Sequence, residues 1–300
     1  MTNKIRFAAA LLVIGLAAIC VSAQVPTLRI QTDDPNLPSD LYYGNVKVKP
    51  LRLRPGTNQP VTIDDNDFMV QQQYIDFLGR MPDSFGFPIW LSTLANCQAG
   101  DITCDRVHVS ESFVRSPEFQ LRGYFTFRFY PVSFPGIPGS DPAGFGHKPS
   151  FAEFLPDLRS ISGFLDANQL EAAKVAFVNG FMARPAFVAK YNSLNNTQYV
   201  DTLLSNANAG IGGTTRQTLI DGLNNSSLTR AQVLRQVAET TEVATKYYNE
   251  SVVVMQYFGY LRRDPDGSYF TWLQVIDANP ADSRGMVSGF FNSTEYRQRF

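Results

Sequence analysis

The sequence predicts an all-α fold, in which repeated helical bundle modules follow a short extended N-terminal arm. Three observations support this class. Apolar residues recur with helical spacing from about residue 63 to the end of the chain, whereas alternating patterns occur in the first 62 residues. In addition, one aromatic motif occurs at least twice, which is typical of a chain built from similar structural units.

Residues 1–23 have the features of a secretory signal peptide. Lys4 and Arg6 provide a positive start, an apolar run follows as far as Ile19, and small residues around Ala23 allow cleavage before Gln24. The run is short for a membrane span, which needs about 20 apolar residues. We therefore expect a secreted chain, periplasmic or extracellular or held at the cell surface, with no transmembrane helix in its mature part.

Residues 24–62 are rich in Pro, Asn and Asp, and two stretches within them alternate, Asn45–Lys49 and Leu51–Arg54. This pattern predicts an extended arm with one or two strands. Asp64, Asp65 and Asp67 come next and precede the first helical stripe. Acidic residues at that position favour the start of a helix, although a calcium cluster is the rarer alternative.

Helical spacing then continues in two predicted regions, a first module at residues 63–130 and a longer region at residues 150–300. Capping boxes at Ser150–Glu153 and Thr229–Gln232 predict two helix starts. One expected helix carries Leu121, Tyr124, Phe125 and Arg128 on a single face. Residues 131–149 are too rich in Pro and Gly for a regular element, so we predict a loop whose Phe134 and Phe145 are candidates for exposed contacts.

A repeated motif is the most specific signal in the sequence. A helix ending in Tyr-x-x-x-Leu-x-Arg-x-Pro-Asp is followed by a Gly, a Trp and then an exit sequence of the form Ser-x-Glu. The first copy comprises Tyr74, Leu78, Arg80, Pro82, Asp83, Gly86, Trp90, Ser116 and Glu118. The second comprises Tyr257, Leu261, Arg263, Pro265, Asp266, Gly267, Trp272, Ser293 and Glu295, with one residue fewer between Asp and Trp.

The motif predicts a helix end followed by a helix start. A helix must finish before Pro82, after which Asp83 can bond backbone N–H groups of the next turn and Trp90 can pack back on the first helix. Because Arg and Glu recur together, we expect Arg80 to pair with Glu118, and Arg263 to pair in the same way in the second copy. These residues are predicted to build the fold, and none is assigned a catalytic role.

A degenerate middle copy lies between the two clear ones. Phe181–Phe187 resembles the exit sequence, and so does the segment from Ala238 to Glu242. Tyr199 and Leu203 match the Tyr-x-x-x-Leu spacing but are not followed by Arg-x-Pro-Asp. The sequence thus predicts a weakened third unit within residues 150–300.

The pattern of Arg80, Pro82, Asp83, Gly86 and Trp90 resembles the bacterial domain of unknown function 4214, in the two-copy secreted form. The resemblance extends over the chain after about residue 62. It implies a helical module of exported or cell-surface proteins, and the family has no agreed activity. A fainter likeness to the linker domains of cyanobacterial light-harvesting assemblies implies binding to other proteins.

The three cysteines agree with export. Cys20 would leave with the signal peptide, so the mature chain would keep Cys97 and Cys104, an even pair that predicts a disulfide in an oxidising compartment. A metal site that combines these two cysteines with His108 is the alternative, but it lacks a fourth ligand nearby. We therefore expect no metal and no cofactor.

Composition and motifs also limit the function. The net charge of −1 provides no basic face for nucleic acid. Neither His108 nor His147 has a nucleophile in a recognisable setting, and the segment Asp264–Ser268 departs from a calcium loop because Tyr269 stands where Gly is required. Whether the chain is an enzyme stays open, with a non-enzymatic role favoured.

We therefore expect an interaction or structural module that binds another protein or an envelope glycan. The alternative is a secreted hydrolase acting on polysaccharide, whose two carboxylates the sequence does not single out. A pocket with two facing carboxylates of perturbed pKa would favour the enzyme, and an exposed aromatic patch would favour binding.

Overall fold

The computed structural model describes residues 28–31, 40–43, 46–47, 59–134, 148–163, 165–281 and 283–300. The predicted signal peptide, residues 1–23, lies outside the described residues. So do most of the predicted Pro/Gly-rich loop, with Phe145 and His147, and the alternating stretch Leu51–Arg54.

Three short strands lie within the predicted N-terminal arm. They are β1 (Leu28–Gln31), β2 (Asp40–Tyr43) and β3 (Val46–Lys47), and they form an antiparallel sheet in that order. Tyr43 lies opposite Leu28 on one side and opposite Val46 on the other. β3 falls in the alternating stretch Asn45–Lys49, whereas the sequence did not predict β1 and β2.

The regular elements of the described residues are otherwise helical, so the predicted all-α class is confirmed. The described residues contain sixteen α-helices, followed in one case by a π-helical turn, Tyr257–Leu261. Their bounds are α1 (Asn66–Leu78), α2 (Gly86–Ala95), α3 (Arg106–Val114), α4 (Pro117–Leu121), α5 (Gly123–Ser133), α6 (Phe151–Ser160), α7 (Ala167–Met182), α8 (Pro185–Tyr191), α9 (Asn196–Ala207), α10 (Gly213–Asn224), α11 (Arg230–Ala238), α12 (Thr241–Lys246), α13 (Tyr248–Gln256), α14 (Ser268–Ala278), α15 (Arg284–Phe291) and α16 (Thr294–Arg297).

The helices follow one another in four sets of four, α1–α4, α5–α8, α9–α12 and α13–α16, which we number sets 1 to 4. In each set the first helix, with its π-helical turn in set 4, contacts the third helix of the same set. The boundary between sets 1 and 2 falls at Arg122, whereas the sequence predicted that the first module reaches residue 130.

A single connection joins the third helix to the fourth in every set. The backbone N–H of the residue that caps the fourth helix donates to the carbonyl three residues earlier, at 3.1–3.3 Å. These four pairs are Ser116 with Phe113, Arg184 with Phe181, Thr240 with Val237, and Ser293 with Phe290. Three of the caps also accept an N–H on their hydroxyl oxygen, which satisfies a helix start.

Sets 1 and 4 pack against each other, and so do sets 2 and 3. α3 contacts α15 in the first pair, and α7 contacts α11 in the second. Buried polar side chains cross the first interface: the Gln73 amide donates to the Tyr296 hydroxyl at 3.3 Å, and the Ser110 hydroxyl shares a hydrogen bond with the Tyr260 hydroxyl. The fully buried carboxylate of Asp76 pairs with Arg299 at 2.7 Å. One continuous aromatic and aliphatic core fills the space between the helices.

Local signals in the sequence mark several helix starts correctly. The capping boxes at Ser150–Glu153 and Thr229–Gln232 are both formed. Asp65 caps α1 by its backbone conformation, and its carboxylate accepts the Thr62 N–H at 2.8 Å. The start of α1 therefore lies where these acidic residues predicted it, although the Asp65 side chain makes no capping hydrogen bond to the helix.

Two helix predictions were wrong at their ends. The expected stripe from Leu121 to Arg128 is divided, because the chain leaves helical geometry at Arg122, and Leu121 is half exposed. α5 then continues through Pro131 to Ser133, where the sequence predicted a loop. Phe134, expected to be exposed, packs on the rings of Phe181 and Phe187.

In the middle region the structure changes which residue of α9 corresponds to Tyr74 of the first copy. α9, which carries Tyr199 and Leu203, continues to Ala207 and ends at Asn208 in the left-handed conformation. Gly79 and Arg262 are the corresponding left-handed residues in sets 1 and 4. Counted from that residue, Leu203 occupies the place of Tyr74, so Tyr199 lies one turn too early.

Candidate functional site

The first copy of the motif forms a closed cluster of polar groups around Arg80. Its guanidinium donates to both carboxylate oxygens of Glu118, at 2.7 and 2.6 Å, to Asp83 at 3.1 Å and to the Met81 carbonyl at 3.0 Å. Asp83 in turn accepts the N–H groups of Phe85 and Gly86, at 3.1 and 2.5 Å. The predicted pair of Arg80 and Glu118 is therefore confirmed.

The second copy repeats these contacts. Arg263 donates to Glu295 at 2.7 and 3.1 Å, to Asp266 at 3.1 Å and to the Asp264 carbonyl at 3.1 Å. Asp266 accepts the Ser268 N–H at 2.9 Å. The second predicted pair is confirmed as well, in a more exposed setting than the first.

A tyrosine ring lies against the guanidinium of each Arg, and further aromatic rings pack on that tyrosine in the same way in both copies. Arg80 lies over the Tyr74 ring at 4.8 Å, and Arg263 lies over Tyr257 at 5.4 Å. In both copies the tyrosine meets the Phe of the third helix edge to face at 4.8 Å, and the Trp of the second helix covers the same Phe. The remaining members hold backbone positions: Pro82 and Pro265 follow the helix ends, and a Cβ at Gly86 would collide with the Tyr74 hydroxyl.

The protonation states fixed by this environment do not favour acid–base chemistry. Burial, with the nearby Asp83 carboxylate, raises the pKa of Tyr74 to about 12. Although burial opposes its ionisation, hydrogen bonds from Gly86 and Arg80 lower the pKa of Asp83 below the ordinary value. At neutral pH the tyrosine is thus a donor and the aspartate a saturated acceptor, so neither is available as a general acid or base.

Cys97 and Cys104 form a disulfide, as the sequence predicted, with an S–S distance of 2.04 Å. The bond lies between the end of α2 and the start of α3. His108 is half buried on α3. Its backbone N–H donates to the carboxylate of Asp105, the N-cap residue of that helix, at 2.9 Å. In the part of the chain that the structure describes, no group of three His, Cys, Asp or Glu residues could hold a metal ion.

Two carboxyl groups of the described residues each meet one requirement of a glycosidase acid, a raised pKa or an open pocket. Burial raises the pKa of Asp157, but its oxygens are held by Tyr130 at 2.7 Å and by Arg184. A cleft of about 430 Å³ is lined by acidic residues at the start of α1, where a hydrogen bond from Arg297 lowers the pKa of Asp64. Neither carboxyl combines an open pocket with a raised pKa, as a glycosidase acid requires.

An exposed apolar face on α2 is the feature that sequence reasoning missed. Phe85, directly before the helix, is 79% exposed and Ile89 is 47% exposed, one turn apart on the same face. Pro88 and Ser92 are exposed beside them. The available signal was composition, since Gly86–Ala95 has no charged residue although a helix at the surface can bury only one face.

α14, the second helix of set 4, also exposes large apolar residues, Phe270 and Val275. Within the described ranges, no helix has the combined length and apolarity that a membrane crossing requires.

Comparison of the chain with protein-family models, with curated proteins and with solved structures finds no match.

Proposed function

We propose that the chain is a non-enzymatic interaction module that binds another protein through the exposed face of α2. The observation that supports this most directly is the exposure of Phe85 and Ile89 on a helix without charged residues. Contiguous apolar residues at the surface are typical of protein interaction sites, because their burial in a complex is favourable.

A protein partner suits this face better than a glycan. Sugar recognition combines a ring with several polar groups that bind hydroxyls, but the polar side chains exposed along this face, Ser92 and Asn96, hydrogen-bond to each other at 3.1 Å. Protein interfaces, in contrast, have an apolar centre that is enriched in aromatic residues. The polar groups of the repeated motif bind one another, so the proposal assigns them a structural role.

Location and family are part of the same proposal. A disulfide between Cys97 and Cys104 is suited to an oxidising compartment, which supports export to the periplasm or the cell surface. The Arg–Glu–Asp cluster around Arg80 supports membership of the domain of unknown function 4214 family, since those are the residues that carry the resemblance.

The test is a retention experiment with envelope fractions divided into a protein pool and a glycan pool. The immobilised mature chain is compared with a Phe85→Ser/Ile89→Ser variant and with Leu121→Ser, which removes an exposed apolar side chain from α4. We expect a protein to be retained by the wild type and by Leu121→Ser, and to be lost with the double substitution.

Two results would overturn this proposal. One is equal retention by all three chains, and the other is retention from the glycan pool alone. Circular dichroism of each variant checks that its helices are intact, which is expected because all three substituted side chains are exposed.

A further inference from the structure

A cluster of cations surrounds Phe125 where sets 2 and 3 meet. Lys174 Nζ lies 4.5 Å from the centroid of the Phe125 ring, and the guanidinium carbons of Arg235 and Arg128 lie at 5.7 and 6.0 Å. The three cations come from three helices, α5, α7 and α11. Packing of the helices, not local sequence, therefore places them around one ring.

Only part of this positive charge is neutralised by the described residues. Arg235 binds Glu171 through two hydrogen bonds and Glu239 at 2.9 Å. Lys174 and Arg128 form no ion pair or hydrogen bond with any described residue, although Lys174 is only 7% exposed. Three cations thus face two carboxylates, which leaves one positive charge unmatched.

The unmatched groups combine burial with access to water. Arg128 Nε is buried and has no hydrogen-bond partner. The Arg128 side chain as a whole is partly exposed, whereas Lys174 is 7% exposed. The charge of the mostly buried Lys174 is therefore only partly compensated, since Glu239 and Glu171 favour its ionised form whereas burial, Arg235 and Arg128 oppose it.

The fold itself does not require a cation at position 128. Arg128 lies two residues before Tyr130, which meets Phe181 edge to face at 5.3 Å. Tyr74 and Tyr257 make the equivalent contact in sets 1 and 4, and the residues two positions before them are Gln72 and Met255. Neutral residues fill this place in sets 1 and 4, and Asp201 fills it in set 3 when counted from Leu203, so a cation at this position is particular to set 2.

We propose that Lys174 and Arg128 form a binding site for the carboxylate group of a small monovalent anion. One unmatched positive charge suits a single negative charge, and a guanidinium beside an ammonium provides several donors for two carboxylate oxygens. Arg235 is already neutralised by Glu171 and Glu239, and it contacts the same Phe125 ring from α11.

The electrostatic environment agrees with this assignment. Burial lowers the pKa of Lys174 and that of Arg128, and the nearby Arg128 charge contributes to lowering the pKa of Lys174, although Glu239 opposes both shifts. A bound carboxylate would reverse both effects, since an opposite charge nearby favours the ionised form. The site lies apart from α2, so it is independent of the proposed protein-binding face.

The test is titration of the full mature chain with sodium glucuronate, followed by calorimetry and by the NMR resonance of Arg128 Nε–H. Glucose is the neutral control, and sodium chloride at equal ionic strength controls for screening. We expect saturable binding of glucuronate with a shift of that resonance, and at least tenfold weaker binding by Lys174→Met and by Arg128→Gln. The latter places in set 2 the residue type that set 1 carries.

Arg216→Gln is the matched control, because it removes a cation that is paired with Asp201 on another face. It should bind glucuronate like the wild type. Equal binding by Lys174→Met and the wild type, or equal responses to glucose or chloride, would overturn the proposal. If Arg128→Gln does not fold, Arg128→Lys, which keeps the charge, must retain binding, and loss of binding in the folded Lys174→Met variant still decides the question.

Discussion

Arg80 holds Glu118 through two parallel hydrogen bonds, from Nε at 2.7 Å and from Nη2 at 2.6 Å. The side chains of this pair are 10% and 24% exposed, whereas those of Arg263 and Glu295 are 37% and 48% exposed. The same Arg–Glu interaction thus occurs twice in one molecule, once largely buried and once more exposed. Comparing the two pairs shows how the contribution of the interaction to stability depends on burial.

Glu118→Gln should lower the free energy of unfolding by about 2–3 kcal/mol, because it leaves a largely buried guanidinium without its main anion. Glu295→Gln should cost less than about 1 kcal/mol, since water screens the exposed pair. Urea unfolding of both variants measures the difference. Equal losses would mean that burial does not determine the strength of this interaction.

Lowering the pH should decrease the free energy of unfolding, in part because Asp83 becomes protonated. Its folded pKa lies below the ordinary value of 3.8, so the stability that it contributes is present above that pH and is lost as the pH falls through the folded pKa. We expect Asp83→Asn to be about 1–2 kcal/mol less stable than the wild type at pH 7, since it loses hydrogen bonds to a charged group. Urea unfolding at pH 7 and pH 3 should show this difference shrinking at the lower pH.

Removal of the disulfide should cost about 2–3 kcal/mol, as expected for closing a short loop in the unfolded chain. Cys97→Ala/Cys104→Ala is compared with the wild type by urea unfolding, with and without a reductant. The reductant should destabilise the wild type to the level of the variant and leave the variant unchanged. A reductant effect on the variant would show that another group is responsible.

Gly259 allows the π-helical turn of set 4 to approach set 1. A Cβ at this position would lie 2.5 Å from the Phe77 ring, so Gly259→Ala should lower the free energy of unfolding by about 1–3 kcal/mol through overpacking. Gly285→Ala is the control, because nothing lies within 4 Å of a Cβ there. It should be neutral or slightly stabilising in helix α15. Thermal unfolding of the two variants distinguishes a close interface from a general intolerance of alanine.

Local chemistry made some features predictable from the sequence alone. Helical spacing indicated the all-α class, and the capping boxes at Ser150 and Thr229 marked helix starts, because both depend on residues within about one turn of each other. The bonds of Arg80 and Arg263 to their glutamates were also predictable, since each pair recurs as a unit in two copies of one motif.

Tertiary structure decided the features that depend on which surfaces meet. The break at Arg122 accompanies hydrogen bonding of its guanidinium to the Gly163 carbonyl, 41 residues away in sequence. Helical spacing in the sequence indicates the inward face of α2, which packs on the core through Phe87, Trp90, Leu91 and Leu94. Only the tertiary structure shows that Phe85 and Ile89, on the opposite face, stay exposed. Lys174 and Arg128 share a ring because three helices pack there, a long-range arrangement that the spacing of neighbouring residues does not encode.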